Sequence, residues 1–371
     1  MTVRAQARVN VAAISRNVAT LSAAAPGSAA CAVVKADGYG HGAVAAARAA
    51  LSGGATWIAV VTAREAEQLR AAGLTEPPIL VMGALSTEEL DIALAARADI
   101  VVWTEGMLDA VSARGGGRVH VKLDTGMGRL GTRDPVRATG LVRRAEADPV
   151  LELVGAMTHF ATADERGDAF FGEQLGRFTA WVGELRAAGV NVIAHAANSA
   201  AVLRDPASHF DLVRVGVGIY GLDPFGVDPA AQGLEPALEL VSWAAAVKPI
   251  AAGESAGYGR RFVASTDGWV ATVPVGYGDG WRRGLTNNAQ VLIGGRRFPQ
   301  VGTVSMDNVT VDLGPGTGVS TGDEVVLLGA RGGERILAED VARALGTINY
   351  EITCGLLPRV PRILHADGAP V

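Results

Sequence analysis

Only two cysteines occur in 371 residues, Cys31 and Cys354, far apart in the chain. A disulfide framework and a cysteine-based zinc site both lack the residues they need, which points to a reducing compartment. Basic residues do not outnumber acidic ones: 33 Lys and Arg against 38 Asp and Glu leave a formal charge of −5. With no basic surplus, nucleic acid is not an expected partner. A membrane span of about 20 apolar residues is also missing. The uncharged stretch 17–34 is interrupted by Asn17, Pro26, Gly27 and several Ser and Thr. Its segment AAAPGSAA, behind Arg4, Arg8 and Arg16, looks faintly like a signal cleavage site. However, Ile14, Val18 and Leu21 fall on one helical face that cleavage would strip from the domain. No membrane contact and a cytoplasmic location are expected.

Lysine is nearly absent. Lys35, Lys122 and Lys248 are three of the 33 basic residues. Surface charge can be written as arginine, so retained lysines are candidates for chemistry that only a primary amine performs, such as Schiff-base or carbamate formation. What is plentiful is ordinary: 49% hydrophobic and 19% charged residues exclude a largely disordered chain. The length suggests two domains, with enough chain for a large core that needs no staple.

From residue 30 to about 220, short apolar runs alternate with helical patterns. The strand candidates are 30–35, 57–61, 78–82, 99–103, 118–124, 151–157, 191–196 and 212–216. Helical stretches 62–73 and 86–97 lie between them, each opened by a Ser or Thr cap. Eight buried, helix-separated strands predict an α/β fold of the (β/α)8 TIM-barrel type; a doubly wound sheet is the alternative if one strand is miscounted. Beyond Pro224, strands at 241–250, 268–276, 289–295, 297–306, 308–313 and 323–329 are divided by Gly, Pro and Asn turns. They predict a mostly antiparallel β domain with one helix near 337–345. The boundary falls within 221–233, giving a barrel at 1–230 and a β-rich domain at 231–371. Residues 1–10 are a candidate for pairing with the latter.

Barrel active sites lie at the C-terminal strand ends. Lys35 closes the first strand, with Tyr39 and His41 after it; Lys122 and Arg129 accompany the fifth. His159 follows the sixth, Asn198 and Ser199 the seventh, and Arg214 with 216–218 the eighth. A lysine behind VV at a buried strand end has a desolvated amine suited to a Schiff base. Gly and Ser groups after the last two strands supply donors at the barrel's usual phosphate position. Together they point to pyridoxal 5'-phosphate, with an aldolase-type Schiff base left open by the lysine alone. No Cys/His cluster of metal-ligand spacing and no GxxxxGK[ST] is present, so a metal mechanism lacks support.

The segment VVKADGYGHG resembles the cofactor-lysine signature of the alanine racemase family, the fold-type-III pyridoxal phosphate enzymes. KLDTGMGRLG, THFATADE, AANSAA, RVGVGIYG, AGYGRRF, VGYGDG, VSMDN and NYEI match family segments in order, across nearly the whole chain. The resemblance implies that Lys35 holds the cofactor and that Tyr39, Ser199, Gly216, Val217 and Tyr350 contact its phosphate. Arg214 would face the pyridine nitrogen, which a group with five donors and no acceptor keeps unprotonated. Catalysis would use two bases, Lys35 and Tyr258. An ordinary tyrosine ionises near pH 10 and needs cationic help, for which the family pattern implies a chain through His159 to Arg214. Tyr258 lies in the second domain and would serve a partner's barrel, so a homodimer is implied. Arg129 would bind the substrate carboxylate and the cofactor hydroxyl, Met306 and Asp307 would complete the pocket, and Tyr277, Arg282 and Tyr350 would line the entrance. Lys122 would carry a carbamate that holds Arg129; an ion pair with Asp124 or another acid is the simpler alternative. Lys248 is assigned no chemistry. Ser305 stands where many relatives have cysteine and Val217 where isoleucine is frequent, which bears on substrate preference. The implied reaction is interconversion of L- and D-alanine, supplying D-alanine for peptidoglycan.

Overall fold

In a computed structural model describing residues 3–316 and 318–371, the chain forms two compact units. One spans Ile14–Ile219 with Gln232–Leu234; the other comprises the N-terminal segment up to Ala13, Tyr220–Ala231 and Glu235–Val371. The strand of that segment, β1 (Gln6–Asn10), pairs antiparallel with β10 (Leu238–Trp243) and parallel with β20 (Arg362–Ala366). It therefore belongs with the β-rich unit.

The first unit is an eight-stranded parallel barrel. Its strands are β2 (Ala29–Val33), β3 (Trp57–Val60), β4 (Ile79–Val81), β5 (Asp99–Val102), β6 (Gly117–Lys122), β7 (Leu151–Met157), β8 (Ile193–His195) and β9 (Leu212–Val215). They are ordered β8-β7-β6-β5-β4-β3-β2-β9. Two backbone bonds bring β8 to β9 and nearly close the ring: Asp211 N–H donates to Ala194 O at 3.0 Å and Arg214 N–H to Ala197 O at 2.9 Å. Strands buried on both faces read as continuous apolar runs, as β3 and β4 do; β5 and β9 are equally buried but carry Asp99 and Arg214. The helices between them start where their caps dictate. Thr62 and Ser86 each form a capping box, with Glu65 and Glu89. Ile14, Val18 and Leu21 are fully buried on one face of the helix Val11–Ala24.

The second unit is built on one large sheet of eleven strands among the described residues, ordered β11-β14-β17-β16-β15-β18-β10-β1-β20-β21 with β19 beside β18. Most of its pairings are antiparallel. Besides β1, β10 and β20 it contains β11 (Ala246–Ile250), β14 (Gly268–Val273), β15 (Ala289–Ile293), β16 (Arg296–Val301), β17 (Val309–Gly314), β18 (Glu324–Arg331), β19 (Glu334–Ile336) and β21 (Ala369–Pro370). A separate ribbon joins β12 (Ser255–Ala256) to β13 (Phe262–Val263). The stretch 241–250, expected as one strand, breaks at Ala244. There the chain changes neighbour: Ala244 N–H bonds Asp323 O beside β18, and Ala245 N–H bonds Thr272 O in β14. The strand expected over 297–306 ends at Val301, because Gly302 takes φ +72° and turns the chain into a loop. The helix Ala338–Leu345 lies where the pattern places it, and a second helix, Asn349–Cys354, follows it. No helix of the described residues is long and apolar enough to cross a membrane.

Candidate active site

Lys35 directly follows β2 and Val34, half-buried at the C-terminal end of the barrel. Beyond it the backbone makes a left-handed turn, with φ of 53°, 52°, 61° and 52° at Ala36, Asp37, Gly38 and Tyr39. Three of these residues carry a Cβ, each at a cost of roughly 1–2 kcal/mol. The turn persists because it is tied down. Gly38 N–H bonds Val34 O, Gly42 N–H bonds Asp37 O, and Ala43 N–H bonds the Asp37 carboxylate. Glu65 adds a tie from the next helix: its Oε1 accepts from Ala36 N–H at 2.7 Å, and its Oε2 from Val61 and Thr62 N–H. Strain next to a reactive group, held by its surroundings, is a mark of function. The turn buries Tyr39, whose ring lies 6.0 Å from the Lys35 amine.

Arg214, on β9 and 2% exposed, is the hub of the mouth. Its Nη1 donates to His195 O and His195 Nδ1, both at 2.9 Å. Its Nη2 reaches Thr158 O, Ala196 O and His159 Nδ1. Burial pulls its pKa down to about 10, still a cation at neutrality. His159 is held well below the ordinary imidazole range, first by burial and then by the charges of Arg214, Lys122, Arg129 and Lys35. It is therefore neutral, and the nitrogen facing the guanidinium must be the acceptor, which leaves the proton on Nε2. Among the described residues, no hydrogen bond uses Arg214 Nε.

Behind Arg214 the chain forms a small-residue cradle. Ser199, buried at the start of the helix Ser199–Arg204, accepts at Oγ from Gly216 N–H (3.0 Å) and Gly218 N–H (3.3 Å). A Cβ at Gly216 would lie 2.5 Å from Tyr39 Oη, so a larger residue there would displace the phenol. Val217 opens the single turn Val217–Tyr220 beside them. With both amides donating to its oxygen, the Ser199 hydroxyl is left to donate its own O–H, and beside the Tyr39 phenol it suits a phosphate.

Arg129 is exposed on a loop organised by Asp124, whose carboxylate accepts from Gly126, Gly128 and Arg133. Asp124 thus forms its ion pair with Arg133, not with Lys122. Lys122, at the end of β6 and 4% exposed, is brought down to about 8 by burial and by the charges of Arg214 and Arg129. Lys35, Tyr39, Lys122, Arg129, His159, Ser199, Arg214, Gly216 and Val217 all sit at this one mouth. Lys248 is exposed on β11, in the other unit.

The β-rich unit holds the remaining candidates. Tyr258, 75% exposed, sits in the turn Tyr258–Arg260 closing the β12–β13 ribbon, and its carbonyl accepts from Thr303 Oγ1 at 2.7 Å. Met306 is exposed on a loop clamped twice to its neighbour: Tyr277 N–H bonds Ser305 O, and Gly278 N–H bonds Met306 O. Ser305 closes that loop through Asn308. Asp307 pairs with Arg359, which also grips buried Asp279. Arg282 lies 3.9 Å from Glu351. Half-buried Tyr350 follows Asn349, which bonds Asp223 O and Glu339. Sequence reasoning passed over Glu65, Asp279, Arg359 and the buried pair His120 and His195. The only local signal for the histidines was their place in runs otherwise apolar, VHV and VIAHA.

Comparison with known proteins identifies the family. Residues 9–224 match the family model of the alanine racemase N-terminal domain, and 237–364 that of its C-terminal domain. Alanine racemase of Symbiobacterium thermophilum is 41% identical over 369 residues, covering 98% of this chain and 97% of that one. That of Frankia casuarinae is 44% identical over 370 residues, covering 97% and 96%. The solved alanine racemase of D-cycloserine-producing Streptomyces lavendulae superposes with a TM-score of 0.92 at 37% identity, covering 99% of this chain and 98% of that one. The chain belongs to the alanine racemase family of pyridoxal phosphate-dependent enzymes.

Proposed function

We propose that this chain interconverts L- and D-alanine with two bases on opposite faces of the substrate, and supplies D-alanine for peptidoglycan in the cytoplasm. The observation that carries the reading is Arg214. Five bonds to barrel atoms occupy its Nη groups and leave Nε–H for an acceptor from outside the protein. A ring nitrogen facing that donor stays unprotonated. Pyridoxal phosphate, when bound, supplies the electron sink that acidifies the substrate α-carbon. Lys35 holds the cofactor, and Tyr39, Ser199, Gly216, Val217 and Tyr350 hold its phosphate. The Lys35 amine would take or return the α-proton on one face.

Tyr258 serves the other face, its oxygen accepting from the Nε2–H of His159, which Arg214 fixes in that tautomer. Arg129 binds the substrate carboxylate, and Met306 and Asp307 complete the pocket. The exposure of Tyr258, Met306 and Tyr277 on one unit supports a homodimer in which each protomer lends these residues to its partner's barrel mouth. Lys122 is the site of a carbamate that orients Arg129.

Incubation of the purified protein with L-alanine in deuterated water, followed by chiral chromatography, tests the reading. Deuterium should enter at the α-position along with inversion, and L-serine in parallel sets the preference. Exchange without inversion would remove Tyr258 from its role. A yellow, folded protein that exchanges no amino acid would be a cofactor carrier instead. Tyr258→Phe should slow abstraction from one enantiomer far more than from the other; equal losses would contradict separate facial roles.

A further inference from the structure

Arg214 is also the end of a buried chain of polar groups that crosses the barrel interior. His195 Nδ1 accepts from Arg214, so its proton lies on Nε2, which lies 2.9 Å from His120 Nδ1. His120 must accept there and carry its own proton on Nε2, which lies 3.1 Å from Asp99 Oδ2. The other Asp99 oxygen accepts from Arg118 Nε at 2.8 Å. Asp99 opens β5, His120 lies within β6, and His195 closes β8, so the run leads from the base of the barrel to its mouth. Asp99, His120, His195 and Arg214 are each at most 2% exposed.

The fold makes room for this run at a cost. The register between β6 and β7 slips, with Val119 opposite Leu153 but His120 opposite Gly155. A Cβ at 155 would lie 2.2 Å from His120 Nδ1. Trp57 packs edge-to-face on His120 with ring centroids 5.7 Å apart. Such slips commonly re-aim a side chain near an active site.

We infer that Asp99, His120 and His195 are positioning residues for Arg214: a one-way run of donors, set by a guanidinium at one end and a carboxylate at the other, aims its Nε–H. Reversing the run would set N–H against N–H at Arg214 and a lone pair against the carboxylate at Asp99. The two ends therefore enforce the same tautomers, and a buried network satisfied throughout is rigid. The inference rests on the role of Arg214 proposed above.

The test reads the tautomers directly. In protein labelled with 15N-histidine, two-bond proton–nitrogen correlations at neutral pH should show His120 and His195 both neutral and protonated at Nε2. An Nδ1–H or doubly protonated form of either would overturn the inference. In Asp99→Asn, one oxygen must serve two donors. The permanently charged Arg118 should claim it, turning the amide NH2 toward His120 and shifting both rings toward Nδ1–H. Gly155→Ala displaces His120 without altering any charge. Each variant should lower kcat by about 10- to 100-fold and change KM for alanine by less than about threefold. Each should also shift the visible absorbance of bound pyridoxal phosphate, a readout that needs no turnover. If folded variants show altered tautomers but wild-type absorbance and kcat, the inference falls. Wild-type protein without α-exchange would defeat the proposed reaction instead, with the tautomers and absorbance still deciding the relay.

Discussion

Lys122 permits a quantitative prediction about its modification. Carbamate formation joins a neutral amine to carbon dioxide and releases one proton, so its extent follows the neutral fraction. An ordinary lysine near 10.5 is neutral to about 0.03% at pH 7, whereas one brought down to about 8 is neutral to roughly a tenth, a gain of about 300-fold. The cause is structural: the amine is 4% exposed and faces the charges of Arg214 and Arg129. The product exchanges a disfavoured cation for an anion suited to both arginines. Protein equilibrated with 13C-bicarbonate at pH 8 should therefore show one carbamate carbon resonance that is absent from Lys122→Met. Stripping carbon dioxide should weaken binding of the alanine carboxylate through Arg129 and raise KM. In the stripped protein, the folded state releases the Lys122 proton before the unfolded chain does. The unfolded state then binds more protons between about pH 8 and 10.5, and stability gains about 3 kcal/mol as pH rises through that window. Urea titrations should show this rise in the stripped wild type relative to Lys122→Met. An active protein that gives no labelled carbamate, with an unmodified amine at Lys122, would refute the argument.

Two further perturbations probe the supports of the site. Glu65→Ala removes the tie on Ala36 and the matching cap on its helix. It should cost about 1–2 kcal/mol by urea titration and slow borohydride trapping of cofactor on Lys35; an unchanged trapping rate would show that the turn holds itself. Asp279→Asn takes one acceptor from Gly276, Arg4 and Arg359 around the Met306 loop. Because both arginines are partly solvated, the loss should be about 1–3 kcal/mol by calorimetry, with a raised KM. The exposed pair Arg335 and Asp228 is the control, and Asp228→Asn should leave both quantities unchanged.

What could be read from the sequence was whatever burial or chemistry writes locally. The barrel strands were legible because both faces are buried, so they appear as largely apolar runs. The break at Ala244 was not, since a strand that changes partners keeps the same pattern of side chains. The same contrast governs the site. Lys35, Arg129 and Arg214 stand in or beside short glycine-rich segments where the backbone can bend toward a ligand, and Ser199 stands in a run of small residues. Asp99, His120 and His195 stand singly in three strands, 21 and 75 residues apart, and only barrel closure joins them.

Lysine scarcity carried information for a related reason. On β11, where Lys248 is exposed, arginine could supply the same charge, so lysine there is chemically incidental. At Lys35 and Lys122 the proposed chemistry needs a neutral nitrogen. Burial can bring a lysine to about 8, as at Lys122, whereas fully buried Arg214 falls only to about 10 and remains a cation. The mouth therefore separates its two kinds of basic residue, with arginine where a charge must persist through burial and lysine where it must be surrendered.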